Sequence, residues 1–458
     1  MHRDGHARRR AGAGSGVNSA SAPPDGSCDV RFGSSIAHCE PAFGWCVVPH
    51  SAASISTVSY VLAMARYPRV REQHVAVFGE AGSGKTVLVS SFYGPSQEKS
   101  FASDLFDLVA DEIGQGTRLY KNYLGMRDHA TAPAHTRFEG TTYYFSLKLK
   151  GAGKVKAKKR PFDVLRLAWH DYPGEWFEES PSSEEEAHRR IDTFRSLLRS
   201  DVALLLVDGQ KLLDYKGREE QYLKSVLTNF RQGLLALKED LLNDGGRLDE
   251  FPRIWIIALS KADLLPEWDV HAFRDLVVWK ADEPIDLLRK TLREFVVAPD
   301  ALSLGEDFMV LSSAKFELSS AGPKPVEIDV TKRLGVDLIL PVASLLPLER
   351  RVQWQEKFMI PMKVLESLAD GADTLAVAMM GGRNPLVRKF VARLPNVGPV
   401  QGRAALPLLI EAVKLAGSQL RQINEDAREN KDYLTATLTQ FKLDLEQGEA
   451  DGLLIRSK

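Results

Sequence analysis

The sequence predicts an α/β fold: a mostly parallel sheet with helices on both faces and one antiparallel hairpin strand, followed by a helical C-terminal region. Three observations carry this. The runs VAVF (Val75 to Phe78), ALLLV (Ala203 to Val207), IWIIAL (Ile254 to Leu259) and FMVL (Phe308 to Leu311) are apolar without alternation, as strands covered on both faces are. Amphipathic stretches of helical period lie between them, so successive strands are joined by crossovers and run parallel. Past about residue 347 only helical patterns remain. With 458 residues, 44% hydrophobic and 26% charged, the chain can bury a large core.

In chain order, residues 1–50 are rich in Gly, Ser, Ala and Arg without periodicity and read as a disordered leader. The three cysteines, Cys28, Cys39 and Cys46, all fall there, so no disulfide framework holds the rest. With His38 and His50 they leave a zinc site conceivable, but the spacing matches no CxxC pattern and the leader reading is preferred. Residues 51–346 are expected to form one α/β domain, and 347–458 a helical region.

Within the domain, TVLVSSFY reads as a helix following VAVF, and SFASDLFDLVADEIG (Ser100 to Gly114) as a further helix. TTYYFSLKLK (Thr141 to Lys150) and FDVLRLAWH (Phe162 to His170) flank a Gly151–Gly153 turn and read as an antiparallel hairpin. Ile191, Phe194 and Leu198 mark one helical face, and Tyr222 to Leu242 a long amphipathic helix. Near the end, Leu406, Leu409, Val413, Ala416, Leu420 and Ile423 alternate three and four apart as a short heptad seam, read as a helix packed on its own domain.

VAVF is followed at once by GEAGSGKT, Gly79 to Thr86, a full GxxxxGK[ST] match. Gly79, Gly82, Ser83, Gly84 and the amides through Val87 are expected to curl around phosphate oxygens, with a helix N-terminus behind them. Lys85 would reach the β- and γ-phosphates, and Thr86 would ligate Mg²⁺.

The segment HDYPGEWF, His170 to Phe177, leaves a strand on an acid and turns through Pro-Gly into two aromatics. A plain turn accounts for Pro173 and Gly174. Downstream of a phosphate loop, a switch is the favoured reading: Asp171 holds Mg²⁺ through water, the Gly174 N–H senses the γ-phosphate, and Trp176 and Phe177 dock in one state and move in the other.

SKAD, Ser260 to Asp263, follows IWIIAL at the carboxyl edge of the sheet, where open α/β sheets bind ligands. The Asp263 carboxylate can accept both N–H groups of guanine while the Lys261 stem lies on the purine face; adenine offers no such donor pair. SSAK, Ser312 to Lys315, ends FMVL in the matching place, with Ser313, Ala314 and Lys315 as base-loop candidates.

Together GEAGSGKT, DYPG, SKAD and SSAK resemble the G1, G3, G4 and G5 boxes of the translation-factor-related (TRAFAC) class of P-loop GTPases over about residues 70 to 346. DYPGEW further resembles bacterial YcjX-like GTPases and the GTPase domains of bacterial double-GTPase systems. The resemblance implies GTP and GDP as ligands, Mg²⁺ as cofactor, hydrolase activity and a switch cycle.

Ser260 departs from the usual [NT]KxD box while keeping its Lys and Asp. A switch I threonine is implied to complete the metal shell; Thr136, Thr141 and Thr142 are candidates, of which Thr141 is chosen, in a switch I region enlarged over about 95–140. Many relatives carry Gln after the DxxG glycine, whereas here Glu175 can accept from the attacking water but not donate to the transferring oxygens, so turnover is expected to be slow. Arg137 is a candidate cis arginine, its ordinary alternative being an exposed loop side chain.

Two other readings stay open at this point: a catalytically feeble nucleotide-binding scaffold, suggested by Glu175, and a P-loop ATPase, suggested by Ser260. A protein partner is expected through the switch regions or the C-terminal helices. The formal charge of -1 gives no global reason to expect nucleic acid or anionic membrane as a partner, and KVKAKKR (Lys154 to Arg160) at the hairpin tip reads as a solvated turn in preference to a nucleic-acid or anionic-lipid contact. With no signal-peptide pattern and no apolar run long enough to span a bilayer, a cytoplasmic protein is expected.

Overall fold

The computed structural model describes residues 70–133, 140–151, 162, 164–172, 174–177, 181–242, 246–249, 251–318, 325–357, 372–380 and 406–457. They fall within one compact unit, Tyr67–Lys458. The leader, Thr136, Arg137, KVKAKKR and Pro173 lie outside the described residues.

Strand β1 (Val70–Phe78) occupies the middle of the sheet, and its side chains divide between two cores. Val75 and Val77 join the cluster on one face and Ala76 and Phe78 the cluster on the other, as the two-residue repeat of a strand requires. β1 runs parallel to β4 (Val164–Asp171) on one side and to β5 (Val202–Asp208) on the other. β5 continues in parallel to β6 (Ile254–Ser260), and β6 to β7 (Ser303–Val310). Every residue of β5 and β6 is buried, which explains why their sequences show no polar alternation.

Beyond β4 the sheet turns antiparallel. β3 (Thr141–Leu149) pairs with β4 from Thr141↔Asp171 to Lys148↔Val164, the expected hairpin. The stretch expected to be helical from Ser100 to Gly114 is instead strand β2 (Phe106–Ala110), antiparallel to β3 at the sheet's edge. Here the ladder prevails over a helical reading: Leu108 is buried, Asp107 faces solvent, and the Gln97 side chain closes on the Leu108 carbonyl at 3.0 Å. The helix of this insertion starts only afterwards, as α2 (Ile113–His129), α1 being the phosphate-loop helix (Lys85–Tyr93).

On the face of Ala76 and Phe78 lie α3 (Glu184–Leu197) and α5 (Glu219–Ala236), the latter after the short α4 (Gly209–Asp214). After α6 (Lys238–Leu241), the long α7 (Val270–Phe295) packs beside α5 and β7, kinked where Ala281 leaves helical geometry. A separate antiparallel pair, β8 (Lys315–Leu318) with β9 (Pro325–Asp329), stands beside the main sheet.

The opposite face is covered by α1, α8 (Ile339–Lys357), α9 (Ala372–Met379) and the C-terminal helices, which share one continuous core with the sheet. The heptad seam is not one helix. It divides into α10 (Leu406–Lys414) and α11 (Gly417–Glu429), because the chain turns extended at Ala416 (φ -154°, ψ 165°) and α11 starts from Gly417 at a φ of +56°. Of the seam, Leu409 and Leu420 are buried, Val413 and Ile423 are partly buried and Ala416 is exposed, while Ala412 and Leu415, outside the seam, are buried beside them, so the spacing was right about burial only in part and wrong about continuity.

α12 (Tyr433–Ala450) leads to β10 (Leu454–Ile455), which adds antiparallel to β7 as the eighth strand of the main sheet. This chain end is held by the fully buried Asp307, which pairs with Arg350 and accepts from the Ser457 N–H at 3.0 Å. Removing one partner of such a buried pair costs about 3–5 kcal/mol. No described helix is long and apolar enough to cross a membrane.

Candidate functional site

β1, β5 and β6 end at the same rim, and the loops leaving them meet there. After Phe78 the chain enters the phosphate-type loop, where Gly82 and Gly84 take φ of +77° and +92°. Side chains rarely adopt these angles, so the two glycines let successive N–H groups face one concavity before α1 begins. Lys85 is buried and folds back over the loop, donating to the carbonyls of Gly79 at 2.7 Å and Glu80 at 3.0 Å.

The DYPG segment braces this loop from β4. The Gly79 N–H donates to the Tyr172 hydroxyl at 2.8 Å, and the Lys85 ammonium lies 5.3 Å from the centre of the Tyr172 ring. Gly174 presses on the loop so closely that a Cβ there would fall 2.3 Å from the Ala81 nitrogen. Only glycine fits. Gly174–Phe177 then form a short 3-10 turn. Trp176 is not solvent-facing: it is buried against Phe194 and under the Arg190 guanidinium, which also donates to the Trp176 carbonyl at 3.3 Å.

Asp171 ends β4 beneath the loop and is buried. The Tyr172 N–H and the Thr86 hydroxyl approach its carboxylate, but neither oxygen completes a hydrogen bond of good geometry among the described residues. Burial pushes its pKa up to about 6, with Lys85 pulling back most strongly, then the Tyr172 amide, Arg118 and the Thr86 hydroxyl. Unsatisfied buried anionic oxygens beside a Thr hydroxyl fit a hydrated divalent cation, the hard, oxygen-ligated kind.

Thr141 stands directly across the ladder from Asp171. The Thr142 hydroxyl meets His170 Nδ1 at 3.0 Å, and His170 Nε2 meets His74 Nδ1 at 3.0 Å. Burial, then His74, pushes the His170 pKa down to about 3, so this imidazole is neutral.

At the other end, Lys261 begins the SKAD loop in left-handed backbone (φ +55°) and donates to the Asp208 carboxylate at 2.7 Å. Asp263 accepts from the Ser312 hydroxyl at 2.8 Å and from the Phe316 N–H at 3.1 Å. A carboxylate has about four acceptor positions, so these two bonds orient the group and leave capacity for two more donors. Ser260, the departing residue of its box, is buried with its hydroxyl 3.3 Å from the Val207 carbonyl.

A cavity of about 310 Å³ joins the two ends. Gly82, Ser83, Gly84, Lys85, Thr86 and Val87 line it at one end, and Lys261, Asp263 and Ser313 at the other, with Gly174 and Glu175 at its side. Some candidates stand apart. Gly79 lies behind the lining, where a Cβ would meet the Ser83 hydroxyl at 2.6 Å. Ala314 is buried beneath it, and Lys315 is exposed and pairs with Glu317. Asp171 and Thr141 are not among the residues that line it.

Sequence reasoning missed Tyr172, Asp208, Gln210 and Phe316. The first two hold the glycine loop and the SKAD loop, and the last two line the cavity. Only Tyr172 carried a usable signal, its place between Asp171 and the Pro-Gly turn.

No curated protein matches the sequence. Among solved structures, the chain is similar to the S. cerevisiae Ski7 GTPase-like domain bound to GTP, at 17% identity over 57% of this chain and 45% of that one, with a TM-score of 0.24. It is also similar to a variant of Aquifex aeolicus Era bound to GDP and aluminium fluoride, at 13% identity over 62% and 67%, with a TM-score of 0.21. The chain thus spans less than half of the Ski7 chain, and neither overlap is close enough to carry an argument. Residues 73–279, which supply the phosphate loop, Asp171, Gly174 and the Lys261–Asp263 pair, match the family model described as Double-GTPase 2, so the family that the motifs resemble is the one this segment matches.

Proposed function

We propose that this chain binds GTP with Mg²⁺, hydrolyses it slowly, and uses the presence of the γ-phosphate as a switch read by a protein partner. One observation carries the reading: a single cavity has the glycine loop with Lys85 at one end and the Lys261–Asp263 pair at the other, with Gly174 packed on the loop between them.

In this reading the amides of Gly82 to Val87 hold the β- and γ-phosphates. Lys85 exchanges its two carbonyl partners for phosphate oxygens. Thr86, and Asp171 through water, position Mg²⁺, with Thr141 as the switch I candidate; the ion would neutralise charge on the bridging oxygens when bound. Asp263 accepts the guanine N–H pair, Lys261 lays its stem along the ring, and the Ser313 and Ala314 amides face the guanine carbonyl. The Gly174 N–H reports the γ-phosphate, and because Trp176 is clamped by Arg190 and Phe194, movement at Gly174 is transmitted to α3. Glu175 accepts from the attacking water without offering a donor to the γ-oxygens, which keeps turnover slow.

Nucleotide titration of the full chain with Mg²⁺ tests the reading. GTP and GDP should bind and excess ATP should fail to displace them; displacement by ATP would favour the ATPase alternative. Glu175 also supports the scaffold alternative, and single-turnover hydrolysis separates the two. Slow phosphate release supports the GTPase, whereas tight GTP with no release over hours supports the scaffold.

A further inference from the structure

We infer that Asp208, at the end of β5 and outside all four sequence boxes, is a positioning residue for purine binding that fixes the Lys261 side chain against the base. The inference rests on the nucleotide reading above and deepens its base end.

Four features converge on this carboxylate. It is buried, with a side chain only 4% exposed, yet it faces a cation that is 32% exposed and lines the cavity. Its Oδ1 is committed, accepting from the Gln210 N–H at 2.9 Å as the cap of α4, so Oδ2 is the oxygen directed to Lys261 Nζ at 2.7 Å. Its backbone is fixed as well, because the Asp208 N–H donates to the buried Tyr222 hydroxyl at 2.9 Å. The next residue must be glycine: a Cβ on Gly209 would lie 2.7 Å from the Ser260 carbonyl oxygen and 2.9 Å from that of Lys261, so the base loop packs directly on the backbone beside Asp208.

A lysine stem has four rotatable carbons and loses its conformational freedom when it lies flat on a ring. Tethering the ammonium in advance removes most of that loss from the binding step. The left-handed backbone at Lys261 starts the stem in the right direction, and the Asp208 carboxylate ends it. The pair therefore acts on the purine, not on the phosphate tail.

Asp208→Asn isolates the effect. The amide oxygen can keep the α4 cap, which turns the NH₂ group toward Lys261 and sets donor against donor. In the full chain with Mg²⁺, affinity for GTP should fall about tenfold, the scale of one charge-assisted hydrogen bond, while affinity for inorganic tripolyphosphate, which has no base, should change less than about twofold. Lys261→Met should weaken GTP to a similar degree, and the double variant should be no weaker than the worse single one, since both remove one interaction.

Unchanged GTP affinity in Asp208→Asn overturns the inference alone. A parallel loss of tripolyphosphate also overturns it, by showing a general structural role. Should Asp208→Asn not fold, Lys261→Met decides, because it leaves the α4 cap intact, and full GTP affinity in that variant overturns the inference. Wild-type protein that binds tripolyphosphate but not GTP removes the functional reading and this inference together.

Discussion

The two ends of the cavity are built on opposite plans. The glycine-loop end, to which the proposed reading gives phosphate, is a backbone device: positive φ at Gly82 and Gly84, a loop carbonyl pair holding Lys85, and a contact at Gly174 that excludes even a methyl group. The other end, to which the proposed reading gives the base, is a side-chain device, in which Asp263 is oriented by Ser312 and Phe316, and Lys261 by Asp208. Backbone amides recognise any phosphate, whereas discrimination between purines needs donors and acceptors that only placed side chains supply. On the proposed reading, grip and selectivity fall to separate strand ends.

The largest test of this division is at the base end. On the proposed reading, Asp263→Asn turns an acceptor into a donor facing the guanine N–H groups, so GTP affinity should fall by about a thousandfold and xanthosine triphosphate, which presents an acceptor there, should be gained; competition binding measures both. Equal losses for the two nucleotides would merge the two ends into one. At the phosphate end Lys85→Ala should weaken every triphosphate and tripolyphosphate alike, by about a hundredfold. A loss confined to guanine nucleotides would contradict the division.

Asp171 gives a test of intermediate size with a defined sign. Its carboxyl, ordinarily near 3.8, titrates at about 6 in the folded protein. The folded state therefore binds this proton more tightly than the unfolded one, and the ionised form costs the magnesium-free fold about 3 kcal/mol above pH 6. The cost fades as pH falls from 6 towards 4. Asp171→Asn should accordingly stabilise the magnesium-free protein by about 2–3 kcal/mol at pH 7.5, with little gain at pH 4, and abolish the magnesium dependence of GTP binding. Denaturant unfolding at the two pH values reads it; a destabilised variant at pH 7.5 would show that the carboxylate is satisfied without a cation.

The smallest expected effect concerns Glu175. Restoring a donor with Glu175→Gln should raise the single-turnover rate about tenfold without changing affinity, since one hydrogen bond to the transferring oxygens is at stake. No change in rate would show that Glu175 does not set the turnover proposed here.

The same contrast explains what could be read before the fold was known. GEAGSGKT is contiguous because one loop must surround one phosphate group, and the Asp171 and Gly174 spacing is short for a similar reason. Their chemistry is local, so their order along the chain is enough. The buried strands were legible too, since burial on both faces removes polar residues from β5 and β6. The edge was not: Phe106–Ala110 is held by its ladder to β3, and no short stretch of sequence announces a partner some forty residues on.

By itself, then, the order of residues determined the sheet's central strands, the glycine loop and the carboxyl-rim position of Asp263, because each depends on neighbours close in the chain or on simple burial. Tertiary structure alone decided that Asp208 meets Lys261 across 53 positions, that Tyr172 braces the glycine loop from β4, and that the helices near the chain end share one core with the sheet. These contacts join strand ends brought together only when the sheet is assembled, and a pairing made in space leaves no spacing to read.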